Sequence, residues 1–300
     1  MPKALVNGIQ LDYEVFGPEG GEPLLLVMGL AMQRVAWPAS LLDALLARGF
    51  RCITVDNRDV GHSTRYDDIR APALPTSIAA RLFGLRPRLP YGLADLADDD
   101  MALLAHLGIE RAHVAGISMG GMIAQHIAGH HGARVRSLTL IATSSGRLGL
   151  PPPRPKVLRV MLSRPTGRVS VDEGVAYVSR LFRAIGSPAW PMSKADIEGR
   201  ARIGVMRAAA GSGVTRQLAA ILADGDRSPM LRRLGVPTLV LHGTADPMVP
   251  IAHGIDLARV IPGARFESIE GWGHDLPDAL APVLADHIAA HARQAGQTAP

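Results

Sequence analysis

Short runs with the pattern of a strand recur along the chain, and most of them are separated by segments with the length and pattern of a helix. The runs are residues 23–28, 51–56, 111–117, 135–143, 237–242 and 265–269. The run at 23–28 is apolar throughout, as is typical of a strand buried on both faces of a sheet. Strands that alternate with helices pair in parallel, so the pattern predicts an α/β fold with a mostly parallel, doubly wound sheet.

Helices and one hairpin complete this prediction. Apolar residues on either side of Asn7 and Gly8 predict an opening hairpin, because that dipeptide favours a tight two-residue turn. The helices are predicted at residues 39–48, 93–107, 119–128, 252–260 and 277–292.

The alternation of strands and helices stops after Ser145. Three prolines at 151–153 exclude a helix interior or a central strand, and the residues that follow form short helical stretches broken by glycine and proline. We therefore predict a core domain at residues 1–146 and 234–300, with a helical cap inserted at 147–233.

A smaller insertion is predicted at residues 64–92. Within it, residues 77–85 read Ser-Ile-Ala-Ala-Arg-Leu-Phe-Gly-Leu and are apolar on one side. Such a pattern is typical of a helix packed on the core, and also of a lid or a lipid-facing element. The packed helix is the favoured interpretation.

Residues 116–120 read Gly-Ile-Ser-Met-Gly, which matches the pattern G-x-S-x-G. The bare pattern is a weak signal in a chain rich in glycine. Here, however, an apolar strand run precedes it and a helix-forming run follows at once. In that setting a sharp turn lifts the serine off the backbone, so Ser118 is the candidate nucleophile.

A serine hydroxyl needs a base, and the base needs an orienting partner. In this architecture the acid and then the histidine follow the serine along the chain. Asp246 and His274 meet that order, and each lies in a loop after a predicted parallel strand, where sites in such sheets are found. His242 lies at a strand end and is predicted to be structural. The competing acids are Asp224, Asp226, Asp275 and Asp278.

The oxyanion formed by such a nucleophile needs two fixed N–H donors. The amide of Met119, at the start of the helix after Ser118, is one candidate, and the amide of Leu30 is the other. Gly29 leaves room for a substrate beside the backbone, so Met28 and Gly29 are the candidate substrate contacts. No cluster has the spacing of zinc ligands and no G-x-G-x-x-G opens a helix, so we predict neither a metal nor an organic cofactor.

The formal charge of +5 is unevenly distributed along the chain. Residues 147–233 hold 16 Lys and Arg against 6 Asp and Glu, a local balance of +10. Such a block favours an arginine-rich solvated face, and it also suits peripheral contact with anionic lipid or an acidic substrate. Nucleic acid is not expected as a partner, because the basic residues do not cluster with aromatic ones.

The sequence also bears on location and redox state. No stretch reaches the ~18 apolar residues that cross a bilayer, and residues 1–8 lack the apolar core of a secretion signal. We therefore expect a cytoplasmic protein, with a position at the membrane periphery as the alternative. Cys52, the one cysteine, lies in a strand run and is predicted to be a small buried side chain without redox chemistry.

Five ordered blocks give the chain a family resemblance. They are residues 27–30, 56–63, 116–121, 242–246 and 271–274. With them the chain resembles the α/β-hydrolase superfamily, in its cap-bearing serine esterase/lipase branch. Residues 80–85, 150–153 and 185–191 are similar to mycobacterial-type lipase/esterase proteins. Aclacinomycin methylesterase is more distantly similar and shares the Val-Met-Gly loop at residues 27–29. The resemblance implies carboxylic-ester hydrolysis through Ser118, Asp246 and His274.

One position departs from the commoner pattern of that family, in which a histidine stands where this chain has Met28. The oxyanion hole tolerates the change, because its donor is a backbone N–H. Methionines near the site in sequence are Met28, Met32, Met119 and Met122. Methionine suits an irregular apolar ligand and suits a packed core equally well.

Other reactions use the same three side chains. Thioesterase, phospholipase, lactonase and cofactor-free perhydrolase of the haloperoxidase type all remain open, and a binding protein on a hydrolase scaffold is the non-enzymatic alternative. The favoured prediction is a serine hydrolase that cleaves a small-molecule or lipid ester with an apolar acyl or alcohol part.

Overall fold

The computed structural model describes residues 2–70, 73–85, 88–165, 169–208 and 211–298. The strands of the sheet are β1 (Lys3–Val6), β2 (Ile9–Phe16), β3 (Glu22–Val27), β4 (Phe50–Val55), β5 (Ala112–Ile117), β6 (Val135–Ile141), β7 (Thr238–Gly243) and β8 (Arg265–Ile269). The α-helices are α1 (Ala39–Leu46), α2 (Leu74–Leu82), α3 (Leu93–His106), α4 (Met119–His130), α5 (Pro155–Leu162), α6 (Val171–Ile185), α7 (Lys194–Arg207), α8 (Gly213–Asp224), α9 (Ser228–Leu231), α10 (Ala252–Val260) and α11 (Ala281–Thr298).

The strands lie in the order β1-β2-β4-β3-β5-β6-β7-β8. The pairings of β2 with β1 and β4 are antiparallel, and all the others are parallel. This confirms the predicted α/β fold with a mostly parallel sheet. The chain passes from β3 to β4 on one side and then returns to β5 on the other side of β3. Ligands of doubly wound sheets bind beyond the carboxyl ends of the strands at such a reversal.

Two apolar cores cover the faces of the sheet, because successive side chains of a strand point to opposite faces. In β3, Leu25 and Val27 belong to one core, and Leu24 and Leu26 belong to the other. Helices α3 and α4 cover the first core, whereas α1 and α11 cover the second. Cys52 of β4 is fully buried in the second core, as predicted.

The opening hairpin turns at Asn7 and Gly8. Their φ angles are 48° and 73°, so both central residues adopt the left-handed conformation. A two-residue turn of this kind matches the right-handed twist of the two strands. The predicted hairpin is confirmed, with Val6 paired to Ile9 across the turn.

Helices α5–α9 lie between β6 and β7, and we call them the inserted helices. Buried ion pairs join them to the sheet. Arg216 of α8 pairs with Asp59 at 2.7 Å, and both side chains are fully buried. Arg207 of α7 lies 2.6 Å from both Asp12 and Asp56. Loss of one partner of such a pair leaves a buried charge uncompensated, so these contacts hold the inserted helices over the loop that follows β4.

Helix α2 lies between β4 and α3 and turns its larger apolar side chains outward. Ser77 and Ala80 are buried, whereas Leu82 and Phe83 are 64% and 78% exposed. The prediction that the apolar side of this helix packs on the core is therefore wrong for the large side chains. Residues 71–72 and 86–87 of the predicted smaller insertion lie outside the described residues. Within the described ranges, no helix combines the length and the apolar content that crossing a membrane requires.

Candidate active site

Ser118 lies in the sharp turn between β5 and α4. Its φ and ψ are 56° and −121°, a backbone conformation that residues other than glycine rarely adopt. The N–H of Ser118 donates to the carbonyl oxygen of Ile141 at 2.9 Å, and its own carbonyl oxygen accepts from the Thr143 hydroxyl at 2.6 Å. Strained residues of this kind persist where neighbours hold them, and they are frequent at functional sites.

Two glycines near Ser118 are required by close packing. A Cβ on Gly116 would lie 2.2 Å from the carbonyl oxygen of Gly120. A Cβ on Gly120 would lie 2.0 Å from the carbonyl oxygen of Val27. Helix α4 therefore begins in direct contact with the ends of β3 and β5, and its first N–H groups lie beside the serine.

The loop after β3 passes along Ser118. A Cβ on Gly29 would lie 3.2 Å from the Cβ of Ser118, so a side chain at this position would crowd the serine. Two residues further on, Ala31 has a φ of 62° and donates its N–H to Oε1 of Gln217 at 2.9 Å. Gln217 belongs to α8, so an inserted helix fixes the shape of this loop.

The two predicted oxyanion-hole amides belong to Leu30 and Met119. Met119 is the first residue of α4, so no carbonyl of the helix accepts its N–H. Among the described residues, the N–H of Leu30 has no hydrogen-bond acceptor either. The positive end of the α4 dipole adds to the attraction for an anion at this place.

Asp246 and His274 form a buried hydrogen-bonded pair. Nδ1 of His274 lies 2.7 Å from Oδ2 of Asp246, and the two residues are 7% and 2% exposed. Oδ1 of Asp246 accepts hydrogen bonds from the amides of Met248 and Val249 at 2.8 Å each. Three donors on one carboxylate fix its orientation. The carboxylate in turn favours the tautomer with the proton on Nδ1 and leaves Nε2 as the acceptor of the ring.

The third predicted residue, Ser118, lies at the same edge of the sheet. It follows β5, and Asp246 follows β7, with β6 alone between these two strands. Among the described residues, the Ser118 hydroxyl makes no hydrogen bond to His274. Hydrogen bonds between catalytic groups often tighten only when substrate is bound. The structure thus brings the acid and the histidine into contact and places the serine at the same edge of the sheet, after the end of β5.

The four competing acids have other partners. The pairs are Asp224 with His126, Asp226 with the amide of Ser228, Asp275 with the hydroxyl of Ser187, and Asp278 with Arg200. All of these acids belong to the described residues, and of the five candidates Asp246 alone is hydrogen-bonded to His274.

His242 also lies close to the acid, but it has another role. Its Nε2 is 3.6 Å from Oδ2 of Asp246 and 2.7 Å from the carbonyl oxygen of Val249. Burial lowers the pKa of His242, so the ring is neutral at pH 7 and donates to that carbonyl. The predicted structural role of this histidine agrees with its complete burial.

The loop that carries His274 is held by the chain that follows α6. The N–H of His274 donates to the carbonyl oxygen of Ile185 at 2.8 Å. The N–H of Gly273 donates to the hydroxyl oxygen of Ser187 at 2.9 Å, and the same hydroxyl donates to Asp275. Ser187 and Asp275 are 4% and 3% exposed. Three consecutive loop residues are thus bonded to one segment of the inserted helices.

Sequence reasoning identified neither Ser187 nor Gln217. Ser187 is 86 residues from Gly273 along the chain, and Gln217 is 186 residues from Ala31. A single serine or glutamine outside a motif carries no local signal, because only the fold brings such partners together.

The methionines near the site do not share one environment. Met28, a predicted substrate contact, is 3% exposed, Met119 is fully buried, and the two belong to opposite cores. Leu30, Met32 and Met122 are only partly buried. In the part of the chain that the structure describes, no group of three or more His, Cys, Asp or Glu side chains is placed to hold a metal ion.

Comparison with known proteins shows the family to which the chain belongs. The family model described as the alpha/beta hydrolase fold matches residues 22–278, and the chain therefore belongs to the α/β-hydrolase superfamily. Rhodomycin D methylesterase of Streptomyces sp. (strain C5) is 30% identical, over 98% of this chain and 99% of its own. A putative non-heme haloperoxidase of Mycobacterium phage D29 is 27% identical, over 95% and 92% of the two chains. The structure of the enol-lactonase from Burkholderia xenovorans LB400 superposes with a TM-score of 0.70 at 23% identity, covering 99% of this chain and 100% of the lactonase.

Proposed function

We propose that this protein is a serine hydrolase that cleaves carboxylic esters through Ser118, His274 and Asp246. The observation that carries the proposal is the 2.7 Å contact of His274 with Asp246 at the edge of the sheet where Ser118 occupies its strained turn. The similarity to a methylesterase along nearly the whole of both chains supports an ester as the substrate class.

The proposed reaction has two halves that use the same histidine. Nε2 of His274 takes the proton of Ser118 as Oγ attacks the ester carbonyl carbon, and the charged Asp246 stabilises the imidazolium that forms. The tetrahedral intermediate collapses, the bond to the alcohol oxygen breaks, and His274 gives the proton to that oxygen. Water then attacks the acyl-enzyme with His274 as base, and the carboxylic acid leaves as the proton returns to Ser118.

The N–H groups of Leu30 and Met119 would receive the negative oxygen of both intermediates. One donor of this kind typically contributes ~2.7–4 kcal/mol to the stability of the transition state. Gly29 supports this role, because its missing side chain leaves open the space next to Ser118. The bond of Ala31 to Gln217 keeps the loop in the required shape.

We further propose that the segment 147–233 acts as a cap and that the substrate has an apolar acyl or alcohol part. The cap role is supported by the contacts of the inserted helices with both site loops, through Gln217 and Ser187. The apolar preference is supported by Leu30, Met32 and Met122, which follow the candidate site residues closely in sequence and keep part of their surface exposed. Methionine adapts to apolar ligands of irregular shape.

The test is a rate profile on p-nitrophenyl esters of increasing acyl length. We expect Ser118→Ala to lower kcat on the order of 10⁶-fold, and Asp246→Asn to lower it roughly 10⁴-fold because the wrong tautomer of His274 becomes favoured. Asp275→Asn is the matched control. Asp275 follows His274 in sequence, and its carboxylate accepts from Ser187. This variant should lower kcat about tenfold or less. Equal losses for the two aspartate variants would contradict the assignment of the acid.

A second candidate, cofactor-free perhydrolase activity, is favoured by the relative named as a non-heme haloperoxidase. Both reactions pass through an acyl-enzyme, and they differ in whether water or hydrogen peroxide attacks it. Peracid formation from acetate and hydrogen peroxide, measured beside ester hydrolysis, distinguishes them. A protein that binds esters tightly and turns over neither substrate would instead be a binding protein on this scaffold.

A further inference from the structure

Four apolar side chains project from helix α2 and the turn after it. They are Ile78, Leu82, Phe83 and Leu85, which are 44%, 64%, 78% and 63% exposed, and we call them the α2 tip. Ile78 and Leu82 are four residues apart, so they lie on one face of the helix, and Phe83 and Leu85 continue the patch. Exposed apolar patches of this kind mark sites of interaction.

The α2 tip has a defined conformation. Gly84 has a φ of 66°, and the N–H of Leu85 donates to the carbonyl oxygen of Ala80 at 2.7 Å. This is the hydrogen bond with which a helix commonly ends at a left-handed glycine. The turn folds Leu85 back beside the end of the helix, where its side chain stays 63% exposed.

The segment that carries the α2 tip is basic in sequence. Residues 69–88 contain four arginines and no aspartate or glutamate, and the exposed Asp67 and Asp68 come before them. Of these arginines, Arg70 and Arg88 are exposed, and Arg81 donates to the carbonyl oxygen of Gly146, where the chain enters the inserted helices. The net charge of +10 on residues 147–233 has the same sign.

Exposure and charge together select the partner. Leu82, Phe83 and Leu85 are each more than 60% exposed, so no cavity encloses them, and they are free to enter a soft apolar phase. A second copy of this chain would bring a like-charged stretch against the first, which opposes self-association. An anionic lipid surface offers both an apolar interior and negative headgroups, and interfacial helices combine apolar and basic residues in this way.

The position of the α2 tip relates it to the candidate active site. Helix α2 packs against α8. Gln217 of α8 accepts the N–H of Ala31 in the loop beside Ser118 and donates to the carbonyl oxygen of Arg58 at 3.0 Å. Helix α8 thus contacts both the helix that carries the patch and the loop of the proposed oxyanion hole.

We propose that the α2 tip docks the protein on anionic membranes, with Ile78, Leu82, Phe83 and Leu85 in the interfacial region and Arg70 and Arg88 at the lipid phosphates. Docking would place the site where an apolar ester partitions from the lipid. That last step rests on the proposed esterase function, whereas membrane binding itself does not.

The test is co-sedimentation of the full chain with vesicles of phosphatidylcholine, alone or mixed equally with phosphatidylglycerol. We expect binding to the anionic vesicles that weakens as salt is added. The double variant Leu82→Ser/Phe83→Ser should bind at least roughly tenfold more weakly, because the two large apolar side chains no longer enter the membrane. The control Leu5→Ser changes a side chain as exposed as Phe83, at 78%, on the outermost strand β1, and should bind like the unmodified protein.

Three outcomes would overturn the proposal. They are no binding to anionic vesicles, equal binding by the double variant and the unmodified protein, and a dimer in light scattering that the double variant dissociates. In the last case the patch binds a second copy of the chain instead of lipid. Turnover of a soluble short ester should be unchanged in the double variant. The turnover assay therefore tests the esterase proposal, and sedimentation tests membrane binding separately.

Discussion

Ser187 provides a direct test of how the inserted helices hold the histidine loop. Ser187→Ala removes the acceptor of the Gly273 N–H and the hydroxyl that donates to Asp275. Both partners are buried, and a buried polar group left without its partner costs ~1–3 kcal/mol. We therefore expect the free energy of unfolding to fall by roughly 2–4 kcal/mol. Because the loop carries His274, we also expect kcat to fall roughly tenfold to a hundredfold.

The assay combines urea unfolding with steady-state kinetics on a p-nitrophenyl ester. KM should change little, because the lost contact positions the base and does not touch the substrate. Ser163→Ala is the control: this serine is exposed at the end of α5, and its hydroxyl donates only to the carbonyl oxygen of Val160 at 2.8 Å among the described residues. It should change stability by about 0.5 kcal/mol or less. An unchanged unfolding midpoint and kcat in Ser187→Ala would refute the reasoning.

Three further predictions concern packing, pH and thiol chemistry. In urea unfolding, Gly120→Ala should destabilise the protein by about 3 kcal/mol or more, because its Cβ would lie 2.0 Å from the carbonyl oxygen of Val27. The control Gly199→Ala, at an open position in a helix, should stabilise the protein by ~0.5–1 kcal/mol. Burial lowers the pKa of His113 to about 4. The unfolded chain, with a histidine pKa of about 6.5, then takes up a proton that the folded chain does not, so stability should fall by up to roughly 3 kcal/mol between pH 6.5 and 4 and fall less in His113→Gln. Burial raises the pKa of Cys52 to about 12, so a thiol reagent should label it only after denaturation. Labelling of the folded protein as fast as that of a free thiol would contradict the burial of Cys52.

Local sequence signals were sufficient where glycine and proline delimit the elements. Helix Ala252–Val260 and strand Arg265–Ile269 have the predicted bounds, because such residues flank both of them. The strand predicted to reach Thr143 ends at Ile141, since Ala142 adopts a φ of 46° and turns the chain. Alanine gives no sequence signal for that conformation.

The last helix shows the same limit at both of its ends. It begins at Ala281 and not at residue 277, because residues 278–280 form a separate 3-10 turn. It continues to Thr298 instead of stopping at residue 292, since the polar residues of its last turns contain no proline to end it.

The position of the candidate site followed from general rules about parallel sheets. Residues after the carboxyl ends of parallel strands share one edge, which is why Ser118, Asp246 and His274 were predicted together. The contact of Asp246 with His274 agrees with that rule. The rule says nothing of Ser187, which reaches the histidine loop from the segment after α6, far away in sequence. It also says nothing of the outward orientation of the large side chains of α2, because both features depend on tertiary packing.

The most direct test of the account is peptide mass spectrometry after reaction with a fluorophosphonate probe. We predict one adduct, on Ser118, that forms in the native protein and disappears in Ser118→Ala while the variant stays folded. An adduct on another residue, or labelling that persists in Ser118→Ala, would contradict the claim that this serine is the nucleophile.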